Sequence, residues 1–298
     1  DQWHTMTRTG VAATLSGHIA EPFAEIAPAD AARLGLAPAA LVRVANARAE
    51  VVVRALVTDR QTPGAVFVPI HWTDRFAAKA RVDALVAPET DPVSGQPESK
   101  AATVSVEPFA ASWYGFAVTR ATEPKLTADY WALARIAGGA RIELAGQGAL
   151  DEAALVAEIF GTGVDLVRFD DTRRGRLRLA AVRDGAVVGV LFVAPDPVEV
   201  ARDWLCGRFA EGSLSAHDAF ALLAGRPSGA VADPGRRVCS CYGIGVNQIR
   251  DAIEGGCHTV AAVGEKTKAG TNCGSCRPEI ARIVTDTLAA LEAPRAAE

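Results

Sequence analysis

Four of the six cysteines of this 298-residue chain stand in two close pairs, Cys239 with Cys241 and Cys273 with Cys276. The spacing is C-x-C, 31 residues, then C-x-x-C. Thiolates two or three residues apart can face one metal centre, and two such pairs supply the four sulfurs of a tetrahedral zinc site or a two-iron cluster. Spacing alone leaves zinc and iron–sulfur both open, and structural disulfides are a third reading that needs an oxidising compartment. Cys257, after Gly255-Gly256, and Cys206 have no close cysteine in sequence and read as packed thiols.

The elements that must hold these thiols are short helices. Ile249, Ala252 and Ile253 share one helical face before Gly255-Gly256, Val260 and Val263 follow, and Pro278 opens a third helix over 279–291. Each cysteine pair is thus expected just before a helix, where N–H groups and the positive dipole end favour thiolate over thiol.

The segments C-x-C-Y-x-I and KAGTNCGSCRPEI around these cysteines resemble the bacterioferritin-associated-ferredoxin type of [2Fe-2S] domain, found also in assimilatory nitrate and nitrite reductases. The resemblance implies a [2Fe-2S] cluster with Cys239, Cys241, Cys273 and Cys276 as its metal ligands. Four thiolates and two bridging sulfides on two ferric irons sum to a dianion, and Lys266, Lys268 and Arg277 are the nearby cations expected to temper it.

Composition bounds the rest. Hydrophobic residues make up 49% and charged ones 22%, the balance of a globular chain with a real core. A net charge of -4 argues against nucleic acid or an anionic membrane as the main partner, and no run approaches a membrane span. No signal-peptide pattern precedes Trp3, so the expected location is the cytoplasm. The first residues begin inside what reads as a functional motif, so the chain is expected to be the C-terminal part of something longer.

That motif, DQWHTMTRTG, gathers hydroxyl and imidazole donors with Arg8, a set suited to pyrophosphate and ribose oxygens; a polar loop with one anchoring aromatic is the plainer alternative. A helix over 28–34 and strands over 41–44, 50–57, 65–70 and 102–106 suggest a small barrel. The order WHTMTRTG, then HW after a strand, then DPVSGQP with a following Lys, resembles the molybdopterin-dinucleotide-binding domain of molybdenum oxidoreductases related to dimethyl sulfoxide reductase, assimilatory nitrate reductases above all. The resemblance implies a six-stranded double-psi β-barrel over 1–109. It also implies that Trp3, His4, Thr5, Thr7, Arg8, Thr9, His71, Asp83, Gln96 and Lys100 contact the dinucleotide. Two positions depart from the family: Asp83 stands where Asn is frequent, and Ser99 where an aromatic often precedes the Lys.

Residues 110–232 read as a small connecting α+β domain. Strands are expected over 114–118, 141–144, 164–169, 176–182 and 187–193, with helices from Thr127 through Ile136, after Asp151, and over 198–209 and 216–223. Asp184-Gly185 marks a hairpin. Arg173-Arg174-Gly175-Arg176 reads as a solvated turn or a docking patch. Pro- and Gly-rich sequence over 225–235 is the linker to a small helical [2Fe-2S] domain at 233–298.

The expected whole is a mixed α/β chain: the cofactor-binding and electron-transfer part of an assimilatory nitrate reductase, reducing nitrate to nitrite by two electrons. The resemblance implies a molybdenum bis(molybdopterin guanine dinucleotide) shared with upstream catalytic domains, a [4Fe-4S] cluster upstream only, and an electron donor that is a ferredoxin, a flavodoxin or an NADH-dependent flavoprotein. No molybdenum ligand is recognisable in the chain, so no catalytic residue is named. The competing reading is a non-catalytic electron-transfer or interaction module with a degenerate cofactor domain, which Asp83 and Ser99 favour.

Overall fold

The computed structural model describes residues 6–17, 19–98, 101–228, 234–239 and 241–292. Contacts divide the chain into two compact units, one running to Pro227 and the other starting at Ser228. The protein is mixed α/β, with several sheets and nine α-helices among the described residues.

The first unit opens with two single-turn helices, α1 (Met6–Thr9) and α2 (Ala13–Ser16), so the polar motif is partly helical. Strand β1 (Phe23–Ile26), α3 (Pro28–Arg33), β2 (Leu41–Ala45), β3 (Glu50–Val57), β4 (Val66–Phe67) and β5 (Ser105–Pro108) follow. The strands form one sheet in the order β4-β1-β3-β2-β5, with β1 parallel to β3 and the other pairs antiparallel. Strand β1 is not evident in the sequence because Pro22 and Glu25 dilute its four residues. The strand expected over 65–70 shrinks to two residues at the sheet edge, just before Pro69, which has no N–H to give to a ladder. One face of the sheet encloses Ala24, Ile26, Val42, Val44, Val51 and Val53 with Leu85.

A second sheet is built from β6 (Trp113–Thr119), β7 (Tyr130–Ile136), β8 (Gly139–Gly146), β9 (Asp165–Asp171), β10 (Arg176–Arg183) and β11 (Ala186–Ala194), all antiparallel in the order β7-β8-β6-β11-β10-β9. Helix α4 (Glu152–Phe160), capped by the Asp151 side chain on the Ala154 N–H, interrupts it. Its Leu155, Val156 and Ile159 join the core on one face, while α5 (Arg202–Ala210) and α6 (Asp218–Leu223) cover the other. Asp184 and Gly185 both adopt positive φ, as a tight hairpin needs.

The helix expected from Thr127 through Ile136 is instead strand β7. Ala, Leu and Arg in that stretch favour a helix locally, but pairing with β8 satisfies the backbone and buries Tyr130, Ala132, Leu133 and Ala134. Thr127 does not cap; its hydroxyl donates to the Glu158 carboxylate at 2.6 Å. Gly138-Gly139, which resembles a helix terminator, is the β7–β8 turn. A Cβ on Gly139 would lie 1.9 Å from the Thr119 carbonyl oxygen, so only glycine fits.

The two sheets are joined by the segment after Trp72. Phe76, Ala77 and Ala80 are buried there, the Val52 N–H donates to the Lys79 carbonyl, and the Ala78 N–H donates to the Trp131 carbonyl. A buried polar seam reinforces the join. The Arg54 guanidinium of β3 donates to Glu21 at 2.9 Å, and the fully buried Tyr130 hydroxyl of β7 donates to the same carboxylate at 2.7 Å. Glu143 of β8, 3% exposed, accepts from Arg202 at 2.7 and 3.0 Å and from Arg141 at 2.6 Å. Burial would raise the Glu143 carboxyl, but Arg202 and Arg141 outweigh it and hold it at about 2.

The second unit holds the ribbon β12 (Arg237–Cys239) and β13 (Ile244–Gly245), then α7 (Val246–Glu254), α8 (Val260–Thr267) and α9 (Arg277–Glu292). Ile249, Ile253, Val263, Ile280, Ile283 and Val284 pack together with Val238, Cys239 and Cys276. Of the linker, residues 229–233 lie outside the described residues.

Removing the buried Glu143 leaves the partly buried Arg141 and Arg202 guanidinium groups without their carboxylate. Glu143→Ala is expected to lower the unfolding free energy by about 3–5 kcal/mol, read by denaturant titration at pH 7. Because the folded carboxyl titrates below its usual 4.5, this stabilisation is fully present above that pH and is lost as pH falls towards about 2. The gap between wild type and variant therefore closes in acid.

Candidate functional site

Two loops present the paired cysteines. Cys239 ends β12, and Cys241 follows in the turn to β13, whose Gly245 leads into α7. Cys273 and Cys276 lie in the loop between α8 and α9. The capping geometry is local: the Thr259 hydroxyl accepts from the Ala262 N–H to start α8, and Lys268, in a left-handed conformation with φ 68°, ends it.

The thiols meet across the loops rather than within them. Cys241 Sγ lies 3.4 Å from Cys273 Sγ, well beyond the ~2.05 Å of a disulfide bond. Cys239 and Cys276 form the second pair, joined by a thiol hydrogen bond. None of the six cysteines is in a disulfide, so the disulfide reading has no support. Cys239 and Cys276 are 2% and 5% exposed, whereas Cys241 is half-buried and Cys273 exposed.

The two thiols of the second pair differ in acidity, and neighbouring groups rather than the helix start set the difference. Hydrogen bonds from the Ser275 hydroxyl, 3.1 Å away, and from its backbone N–H draw the Cys273 thiol down. Burial, with Cys239 beside it, pushes the Cys276 thiol up to about 12. Metal binding at Cys276 must therefore displace a proton, as thiolate ligation requires. The structure gathers the four thiols into two pairs across the loops, on a packed helical base; among the described residues no group of three or more His, Cys, Asp or Glu side chains is drawn to one point, so a single four-thiolate centre rests on the residue types and their spacing. Ser275 was not singled out from sequence, since a serine inside C-x-x-C carries no signal of its own. Cys257 packs at the margin of the same core and Cys206 in the core over α5, as packed thiols would.

The candidate dinucleotide residues are spread over several segments. Trp3, His4, Thr5 and Lys100 lie outside the described residues. Thr7 and Arg8 fall on α1, with side chains outside the description, and Thr9 is buried, its hydroxyl 3.9 Å from Met6 Sδ. His71 is exposed with a left-handed backbone, φ 76°, beside the buried Trp72. That is an uncommon conformation for a non-glycine residue. Asp83 lies within a single 3-10 turn, Val82–Leu85, and its carboxylate is 3.7 Å from Arg81. Gln96 closes a loop stapled by Asp91, whose carboxylate accepts from the Val93 and Ser94 N–H groups; the Gln96 carbonyl accepts from the Asp91 N–H at 2.8 Å. Exposed imidazole and amide groups on preorganised turns fit the hydrogen-bonding needs of a dinucleotide; the Asp83 carboxylate offers acceptors only.

Residues 1–103 match the Molydopterin dinucleotide binding domain, and residues 237–286 match the BFD-like [2Fe-2S] binding domain. A nitrate reductase of Klebsiella oxytoca is 38% identical over 291 residues, 97% of this chain and 33% of that protein. The first third of the chain is thus a molybdopterin-dinucleotide-binding domain, and nearly the whole chain is similar to one part of that nitrate reductase. The chain's second unit carries the added iron–sulfur domain: the bacterioferritin-associated ferredoxin of Pseudomonas aeruginosa is 47% identical over 51 residues, 17% of this chain and 70% of that protein. Formate dehydrogenase H of Escherichia coli (strain K12) is 35% identical over 103 residues, 34% of this chain and 14% of that protein. The chain spans about a third of the length of the Klebsiella relative. Two cofactors follow from the two domains, a molybdopterin dinucleotide and a [2Fe-2S] cluster. No helix among the described residues is long and apolar enough to cross a membrane.

Serine at Cys239, Cys241, Cys273 or Cys276 is expected to weaken or abolish the brown absorbance of the iron-loaded chain, while Cys206→Ser and Cys257→Ser keep it; visible spectra and iron analysis decide. Arg277 follows Cys276 directly, and its side chain packs over Gly270 and Gly274: a Cβ there would lie 3.1 Å from Arg277 Cγ and 3.5 Å from Cδ. Arg277→Glu is expected to lower the reduction potential, because removing a cation makes an added electron costlier. A redox titration with an unchanged potential would mean that the guanidinium is turned away from the cluster.

Proposed function

We propose that this chain is the C-terminal, cofactor-binding and electron-transfer portion of a cytoplasmic assimilatory nitrate reductase. The observation that carries the reading is the identity to the Klebsiella nitrate reductase along nearly the whole chain. The first third alone does not select the substrate, since formate dehydrogenases match it about as well. It is the combination with the [2Fe-2S] unit that favours nitrate.

In this reading residues 1–109 are a double-psi β-barrel gripping one end of a molybdenum bis(molybdopterin guanine dinucleotide). Residues 110–232 form a connecting α+β domain and residues 233–298 the [2Fe-2S] domain. Trp3, His4, Thr5, Thr7, Arg8, Thr9, His71, Gln96 and Lys100 supply hydrogen bonds and positive charge to the dinucleotide, with Asp83 as an acceptor. Upstream domains of the same protein complete the pocket and carry the molybdenum ligand and a [4Fe-4S] cluster. When bound, the molybdenum cofactor supplies oxygen-atom abstraction from nitrate and the [2Fe-2S] cluster supplies one-electron transfer. The chain's own contribution is to orient. Cys239, Cys241, Cys273 and Cys276 hold the cluster as thiolates, Ser275 stabilises Cys273 in that form, and the turns at His71 and Gln96 set hydrogen-bonding groups toward the dinucleotide.

The 298-residue chain by itself is expected to carry about two irons after anaerobic reconstitution, little molybdenum, and no nitrite-forming activity with reduced methyl viologen. Molybdenum bound in equal amount to protein, with sustained nitrite production, would mean that a whole active site resides here and that the chain is no mere portion of one.

A further inference from the structure

We propose that the exposed side of the cysteine loops, centred on Cys273 and flanked by Tyr242, Lys268 and Arg277, is the docking surface for an acidic one-electron carrier. The inference rests on the [2Fe-2S] reading above and adds the place and the charge of the partner.

The four thiols are not equivalent. Cys239 and Cys276 are sealed in the helical core, whereas Cys273 is exposed and Cys241 half-exposed. Electron transfer weakens steeply with distance, so a partner arriving from solvent exchanges electrons across the Cys241–Cys273 side. Tyr242, which follows Cys241 directly in sequence, is 48% exposed. Exposed aromatics with a polar surround are what protein interfaces use as anchors. The step itself forms no bond and moves no proton: the reduced carrier loses one electron and a ferric ion of the cluster gains it.

Charge decides which carriers fit. Four thiolates, two sulfides and two ferric ions leave a dianion, which repels an acidic protein unless nearby cations offset it. Lys266, Lys268 and Arg277 are exposed, and among the described residues none of them forms an ion pair. Arg236, in the same unit, is by contrast neutralised by Glu279. Two of the three cations are positioned by the cysteine loop itself. Lys268 stands at its start in a left-handed conformation, with its carbonyl bonded to the Thr271 hydroxyl at 2.7 Å. Arg277 stands at its end, its stem packed over Gly270 and Gly274. Unpaired cations on a fixed loop attract an acidic partner without first breaking a salt bridge, and electron-transfer contacts are typically small and polar enough to be formed this way.

The test is anaerobic stopped-flow reduction of the cluster-loaded 298-residue chain by two reductants of opposite charge: reduced flavodoxin, an acidic flavin carrier, and the methyl viologen radical cation. Lys268→Glu, alone and with Arg277→Glu, is expected to slow reduction by flavodoxin about tenfold at low ionic strength, the scale of electrostatic steering. The gap should close at 1 M salt, where the Debye length is about 3 Å. The ratio of the flavodoxin rate to the methyl viologen rate should fall about tenfold, because a lowered potential slows both reductants and only lost docking slows flavodoxin alone. An unaltered flavodoxin rate, or equal slowing with both reductants, overturns the proposal. Lys268→Glu carries the test alone if the double variant loses its cluster. A wild-type chain that takes up no brown cluster would instead overturn the [2Fe-2S] reading beneath it.

Discussion

Thiols drawn from chain segments 32 residues apart at their closest are brought together in pairs, Cys241 with Cys273 at 3.4 Å and Cys239 with Cys276. Sulfur atoms gain little from one another, and as thiolates they repel. The work of assembling them therefore falls on the apolar faces of α7, α8 and α9. Ile249, Ile253, Val263, Ile280 and Ile283 bury together, and Cys239 and Cys276 are members of that same core. The hydrophobic packing of a short segment and the construction of the metal centre are one event. That is the usual arrangement where a small unit has too little core to be stable without its metal. It also explains the asymmetry of the site: the thiols that belong to the core are dry, and the pair on the turns faces solvent.

The larger unit solves a different problem, the joining of a mixed sheet to an antiparallel one. Their shared core runs from Leu41 and Val52 through Trp72 and Phe76 to Tyr130, Ile142 and Leu144. Within it Tyr130 and Arg54 meet on Glu21, while Arg141 and Arg202 meet on Glu143. Buried charges of this kind add little net stability when compared with well-packed apolar residues, but each fixes the register of the elements that carry its partners, since a one-residue slip would strand a charge. The segment after Trp72, bonded by its backbone to both sheets, sets the exposed turn at His71 on a rigid support.

The sequence by itself determined the chemistry: two cysteine pairs at metal spacing, the helices with apolar stripes at Ile249 and Ile280, the Asp151 cap, the Asp184-Gly185 turn and most strands of the second sheet. These are local signals, legible because the residue type and the conformation it demands coincide. Tertiary structure alone decided the rest. It turned residues 130–136 from a stretch of helix-favouring residues into a strand, because a neighbouring strand offered hydrogen bonds and a core that local propensity does not contain. It paired Cys241 with Cys273 and Cys239 with Cys276 across the loops, an arrangement that spacing within each motif does not specify. It separated Cys273, drawn down by Ser275, from Cys276, pushed up by burial, because acidity depends on what surrounds a thiol and not on its position along the chain.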